Sequence, residues 1–402
     1  MPLTVLMRLD SLLKREDFTK IFEQSFTKFL LDKYSVVADV NWKSNSKSNA
    51  FLLANHKLNV IYSKKIDRVK LKSIVSEYAY HPNKLKCFLQ DTYIQLSTCN
   101  YFEWLFAKTI VKVDPWIGDL DGLCIIPGNH SIRILDLEAL SCRVILKEGF
   151  NVQFIKNEIY FREKYNFLPI PRLLSSDPEG FWYEEVQISA LPINRIDNQD
   201  IKDKALLNAQ TSLLSLYDKT LMKVNSGSYT GLLYKSCDSF ITTLPDIYTQ
   251  NDKVRIKNIL MLLKDGLSEL NDFDVGLVQS HGDFQPANIL VGNIDEQLYL
   301  IDWEYTAKRS VYYDALVFAT QCRSPKGLAG RVELILNGSD NSWRWCIKNT
   351  GIKLSKLELI IFLIEDLMVR LAELQIPNMI NKDRGLDAWI NEVGKMDWLV
   401  YE

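Results

Sequence analysis

The sequence predicts an α+β fold of two lobes, a small antiparallel β-rich lobe over residues 114–193 and a larger helical lobe over residues 194–402. An additional amino-terminal α+β region, residues 1–113, precedes both. Three observations carry this reading. Three short apolar runs, LCIIP from Leu123, SIRILDL from Ser131 and CRVILKEG from Cys142, are separated by turn residues. Short runs rich in β-branched side chains suit a pleated surface, so they read as an antiparallel sheet. After about Asn194 the apolar spacing changes from a period of 2 to one near 3.6, as in packed helices. Between the first two regions, DPWIGDLDGL has the Pro, Gly and Asp content of a connection.

The elements follow in order. From Ser11 to Lys33, Leu12, Leu13, Ile21, Phe22, Phe26, Phe29 and Leu30 recur at roughly helical intervals, until NWKSNSKSN from Asn41 ends the pattern. FLLANHKLNVIYS reads as a hairpin around an Asn-His-Lys turn, and mixed helical sequence runs on to about Val113. This region carries no chemical motif and no repeat; acceptor binding, dimerisation and recruitment of a partner are all open to it. In the small lobe a helix runs from Val152 to about Tyr165 and stops at the prolines of LPIPRLL, and FWYEEVQIS is one more strand. The helical lobe is interrupted by two short strands that frame the motif described below. Its most apolar helix, LELIIFLIEDLMVRLAEL from Leu357, is broken by Glu365, Asp366 and Arg370, which makes it a core helix and not a membrane span.

Composition excludes several classes. Over 402 residues, 47 % hydrophobic and 24 % charged content fits an ordinary globular protein. A formal net charge of −2 gives no global attraction to nucleic acid or an anionic membrane, and the aromatic residues lack basic interleaving. Seven scattered cysteines without a CxxC pair point to reduced thiols in a cytoplasm, and four isolated histidines to no zinc cluster. The amino terminus, broken by Arg8 and Asp10, does not read as a signal peptide.

The chemistry lies in HGDFQPANIL, from His281, and LYLIDWEY, from Leu298. Asp283 follows Gly282, a residue that permits a left-handed backbone and close approach. Asn288 precedes the strand-like ILV, and Asp302 ends the run YLI. Two carboxylates and an amide oxygen are hard donors suited to magnesium with bound phosphates. Phosphoryl transfer from a nucleotide needs such a metal and a carboxylate that orients the attacking hydroxyl.

These segments resemble the HGDxxxxN and IDWE or IDFE signatures of the aminoglycoside phosphotransferase and choline kinase superfamily, small-molecule kinases with a protein-kinase-like fold. The resemblance covers about Leu123 to Ala319. It implies ATP and Mg2+ as cofactors, Asp283 as the catalytic aspartate at the acceptor hydroxyl, and Asn288 and Asp302 as the magnesium ligands. It implies further that Lys147 pairs with the nucleotide phosphates, held by a helix glutamate. Glu158 is the choice for that glutamate and Glu163 its rival. The loop Asn129, His130, Ser131 would cover the phosphates, although Gly128 is its only glycine, and backbone groups around Glu185 and Gln187 would meet adenine. Glu304 would help shape the acceptor pocket. His281 and Asp314 read as braces of the loop, and Trp303, Tyr305, Trp343 and Trp345 as packing.

The expected activity is ATP-dependent phosphorylation of a hydroxyl on a sugar, polyol or amino alcohol. Choline-, ethanolamine- or thiamine-kinase-like and aminoglycoside-modifying activities are narrower alternatives. A non-catalytic nucleotide-binding scaffold is the alternative from another class. HGD in place of HRD, DWE in place of DFG and the missing APE segment argue against a protein kinase, and the missing Walker A sequence against a P-loop kinase.

Overall fold

The apolar spacing between Ser11 and Lys33 is realised as two helices, α1 (Leu9–Arg15) and α2 (Phe18–Tyr34), with the break at Glu16 and Asp17. Phe18, Phe22 and Phe26 recur every four residues and so line one face of α2, where Phe22 and Phe26 stack at 5.3 Å. The computed structural model describes residues 9–43, 51–76, 83–107, 109–268, 273–347, 354–377 and 379–399. They form two compact units, Val5–Ile159 with Pro171–Leu191, and Tyr160–Ile170 with Pro192–Glu402. The α+β class expected from the sequence is the one observed, with an antiparallel sheet and a helix-rich remainder.

In the first unit the order after α2 is β1 (Asp39–Lys43), β2 (Phe51–Asn55), β3 (Val60–Ser63), α3 (Arg68–Val75), α4 (Lys84–Ser97), α5 (Glu103–Phe106) and β4 (Thr109–Asp114). There follow β5 (Leu123–Pro127), β6 (Ser131–Asp136), β7 (Ser141–Leu146), α6 (Gln153–Lys164), β8 (Leu173–Ser176) and β9 (Trp182–Val186). Among the described residues the strands make one sheet in the order β1-β4-β2-β3-β5-β6-β7-β9-β8, antiparallel throughout. Two readings need correction. The residues up to Val113, read as mixed helical sequence, end in β4, because Thr109, Ile110, Val111 and Val113 are β-branched and fit between β1 and β2. The sequence boundary at 113/114 is also not a structural one. Ile61 of β3 pairs with Ile125 of β5, so the amino-terminal hairpin covers an edge that would otherwise expose unpaired backbone groups. α2 packs its phenylalanine face on Val111, Val113, Ile125, Ile132, Ile134 and Ile145 of this sheet.

The second unit continues with β10 (Ala190–Pro192), α7 (Gln199–Thr220), β11 (Met222–Asn225), α8 (Ser226–Thr242) and α9 (Gln250–Ser268). Next come β12 (Asp274–Ser280), β13 (Ile289–Gly292), β14 (Leu298–Leu300) and β15 (Ala307–Ser310). The chain ends in α10 (Tyr313–Thr320), α11 (Leu328–Leu336), α12 (Lys356–Glu373) and α13 (Arg384–Val393). β11, β12 and β15 form a small antiparallel sheet, and β13 and β14 a hairpin, so the unit holds more strand than its helical spacing suggested.

α12 is the core helix. Its start is fixed by a capping box between Ser355 and Glu358, and no helix among the described residues is long and apolar enough to cross a membrane. Glu365, Asp366 and Arg370 are nonetheless buried. Burial opposes ionisation of Asp366, yet Arg370, whose Nε donates to it at 2.9 Å, and Arg323 hold its carboxyl below the usual range. Glu365 accepts hydrogen bonds from Tyr229 Oη, from Ser310 N at 2.7 Å and from Ser310 Oγ at 3.0 Å. Burial dominates there and pushes its pKa from 4.5 up to about 7. A carboxyl raised in this way contributes stability that is complete below about pH 4.5 and is lost as the pH rises through about 7, on the order of 3 kcal/mol. Denaturant unfolding over that range should give a falling slope that Glu365→Gln flattens.

Candidate functional site

The motif around Asp283 is assembled by backbone constraints in the second unit. β12 delivers the chain to His281, whose N–H donates to Asp314 Oδ2 at 2.7 Å, while Gly282 N donates to Asp314 Oδ1 at 2.9 Å. Tyr217 Oη donates to the same carboxylate at 2.8 Å. Asp314, in the first turn of α10 and fully buried, therefore braces the loop as its sequence position suggested. Gly282 has φ +88°, and a Cβ there would lie 2.2 Å from Tyr305 O. Both facts demand glycine. His281 is buried against Trp303, with ring centroids 4.3 Å apart, and Asp283 N donates to its Nδ1 at 3.3 Å. Burial pushes its pKa down despite the carboxylates nearby, so it is a neutral structural histidine.

Asp283 is held on both oxygens. Oδ1 accepts from Arg323 Nε at 2.6 Å; Oδ2 accepts from Gln285 Nε2 at 2.8 Å and from Asn288 Nδ2 at 3.0 Å. Asn288 Nδ2 also donates to Asp283 O at 2.9 Å. With its amide nitrogen committed, Asn288 offers its amide oxygen as the donor a cation would take. The β13–β14 register, Ile289 opposite Leu300, places Asn288 beside Ile301, and Ile301 N donates to Asn288 O at 3.1 Å. The next residue, Asp302, adopts a left-handed conformation with φ 63° and ψ 57°, which aspartate tolerates better than most residues. Among the described residues no three or more His, Cys, Asp or Glu side chains form a metal cage. An amide oxygen from Asn288 and a carboxylate from Asp302 are hard donors of the chemistry that magnesium prefers.

Arg323 was not foreseen. It follows α10 in the sequence QCRSP, with no local pattern to mark it, and meets Asp283 from 40 residues away. Its Nη2 donates to Gly282 O at 3.1 Å and its Nη1 to Glu373 Oε1 at 3.2 Å, so one guanidinium ties the loop to the end of α12. Trp303 and Tyr305 are buried, with Trp303 stacked on Phe161 at 3.8 Å, and Glu304 between them is partly exposed. Trp343 is buried, and Trp345 stacks on Tyr217 at 6.1 Å, which makes both packing residues.

In the first unit, Lys147 directly follows β7 and is fully buried. Its Nζ donates to Glu16 Oε1 at 2.5 Å and to Asn129 O at 2.7 Å. Glu16, at the α1–α2 break, is a carboxylate that no sequence pattern connects with Lys147. On α6, Glu158 is buried and Glu163 exposed. The loop residues differ in their surroundings. His130 is buried in the bend between β5 and β6, with its ring stacked on Phe154 at 3.8 Å. Ser131 starts β6, its carbonyl accepting from Gly128 N at 2.9 Å. On β9, Glu185 pairs with both Cys142 and Leu173, and beyond the strand Gln187 N donates to Leu140 O at 3.0 Å. The backbone N–H of Gln187 is thus engaged within the unit. A cavity of about 220 Å³ lies between α2 and the sheet, walled by Lys28, Phe29, Arg143, Phe181 and Trp182.

No family model and no curated protein matches the chain. Among solved structures it is similar to a choline/ethanolamine kinase family protein from Mesorhizobium loti, with 14 % identity and a TM-score of 0.42 over 71 % of this chain and 90 % of that one. An ethanolamine kinase from Plasmodium vivax gives 14 % and 0.42, over 82 % and 94 % of the two chains. An aminoglycoside phosphotransferase from Streptomyces rimosus gives 13 % and 0.40, over 62 % and 93 %. At such identities and TM-scores the likeness identifies neither activity nor substrate.

Proposed function

We propose that this chain is an ATP- and Mg2+-dependent phosphotransferase acting on an alcohol group of a small molecule, a sugar, polyol or amino alcohol. The observation that carries the reading is the state of Asp283: a partly exposed carboxylate, clamped on both oxygens, with Asn288 folded onto it and Asp302 following the paired strand. A general base must be held in one orientation to accept the proton of the attacking hydroxyl, and three donors on two oxygens achieve that.

In this reading Asp283 aligns the acceptor hydroxyl and takes its proton. Arg323 keeps the carboxylate in place, and its bond to Gly282 O stops the loop from turning. Asn288 and Asp302 would hold magnesium, which when bound neutralises charge on the phosphate oxygens. Lys147 would serve the nucleotide phosphates. Glu304, partly exposed beside the loop, and Glu373, on the far side of Arg323, would favour an acceptor that carries a cationic amine.

The test is ADP release from MgATP over a panel of sugars, polyols, amino sugars and amino alcohols, with product mass measured. Acceptor-dependent ADP release and a product heavier by one phosphoryl group are expected. Nucleotide binding without stimulated turnover across the panel would instead favour the non-catalytic scaffold.

A further inference from the structure

The corner between α1 and α2 belongs to the amino-terminal region, for which the sequence offered no role. It carries Arg15 and Glu16 into a closed network. Arg15 Nη2 donates to Glu16 Oε2 at 2.6 Å, while Lys147 Nζ donates to the other oxygen, Oε1. Arg15 Nη1 reaches Asn129 Oδ1 at 2.9 Å, and Arg15 Nη2 reaches Asn129 O at 3.2 Å, the carbonyl that Lys147 Nζ also meets. Glu16 and Lys147 have side chains with no solvent exposure and lie 131 residues apart in sequence.

We propose that Glu16 is a positioning residue for Lys147, and that Arg15 and Glu16 together fasten the turn from Gly128 to Ser131, which makes the amino-terminal region part of the nucleotide-phosphate site. The proposal rests on the phosphotransferase reading above. Its physical basis is that a buried ammonium keeps its charge only beside a hydrogen-bonded carboxylate. Glu16 is itself fixed: Glu16 N donates to Leu12 O at 3.0 Å, and Leu12 and Phe18 on either side are fully buried. The rings of Phe18 and Phe150 lie 5.3 and 5.0 Å from Nζ. A loop with one glycine has less freedom to turn successive backbone N–H groups toward a phosphate than a glycine-rich loop has. A lysine held in advance by side chains compensates for that, because a preorganised donor pays no reorganisation cost during the reaction.

The experiment compares wild type, Glu16→Gln, Glu16→Asp and Arg15→Ala in the full chain. It measures KM for MgATP, KM for the acceptor, kcat, and the rate at which trinitrobenzenesulfonate modifies Lys147, read by peptide mass. Glu16→Gln is expected to lower kcat/KM for MgATP by about tenfold or more, to leave the acceptor KM nearly unchanged and to speed labelling of Lys147. Glu16→Asp should recover part of the loss. An unchanged kcat/KM for MgATP in Glu16→Gln overturns the proposal, and a raised one does too, since the pair would then obstruct the site. If Glu16→Gln does not fold, Arg15→Ala decides: it keeps the Lys147–Glu16 pair but frees the turn, and a MgATP KM equal to that of wild type counts against the proposal. Wild type that neither binds ADP nor turns over any acceptor sinks the phosphotransferase reading itself, an outcome separate from an active enzyme indifferent to Glu16.

Discussion

Asp283→Asn is expected to lower kcat by about 10²- to 10⁴-fold while the KM for MgATP moves little, because the proposed proton acceptor is lost but the proposed metal and phosphate ligands remain. The substitution is not a silent isostere at this position. Arg323 Nε approaches one oxygen, and Gln285 Nε2 and Asn288 Nδ2 approach the other. An amide in either orientation sets its NH2 group against a donor, and Arg323 loses one of its carboxylate partners while keeping Glu373. A stability loss of about 1–3 kcal/mol therefore accompanies the kinetic one, and the two are separated by measuring unfolding beside turnover. Asp302→Asn should be at least as damaging to kcat and, unlike Asp283→Asn, should raise the magnesium concentration needed for half-maximal rate. A turnover rate unaffected by Asp283→Asn would sink the mechanism.

Gly282→Ala should be strongly disruptive for a single methyl group. An L-residue pays about 1–2 kcal/mol in the left-handed region, and the new Cβ would lie 2.2 Å from Tyr305 O and 2.7 Å from Tyr305 C. Neither neighbour is the end of a flexible side chain, so the loop or the turn Trp303–Tyr305 must shift. A shifted loop pulls the N–H groups of His281 and Gly282 away from Asp314, and each buried donor left unpaired costs about 1–3 kcal/mol. The expected result is a destabilisation of about 3–5 kcal/mol with a fall in turnover of about 100-fold or more, read from denaturant unfolding and ADP release. Gly231→Ala is the control: Gly231 sits inside α8 with open space around its Cβ position, so alanine should stabilise by up to about 1 kcal/mol.

The contrast between these glycines shows what a sequence can disclose. Gly282 stood out because it preceded an aspartate within a recognisable spacing, and the two short strands that frame the motif were legible from the apolar runs ILV and YLI. His281 and Asp314 were read as braces, and the hydrogen bonds at Asp314 bear that out. The strand β4 was lost in helical sequence despite its β-branched residues, because the pairing with β1 and β2 that completes it lies far away in the chain.

By itself the sequence determined the α+β class, the order of sheet before helices, the hairpin from Phe51 to Ser63, and the grouping of Asp283, Asn288 and Asp302 around one loop and one short hairpin. Those are local matters, set by side-chain periodicity and by residues at most 20 positions apart. Only the tertiary structure decided that the amino-terminal region continues the same sheet, that Arg323 clamps Asp283, and that Glu16 meets Lys147. The reason is physical: a buried charge must find its counter-charge wherever the folded chain brings one, and no spacing rule records a partner 40 or 131 residues away.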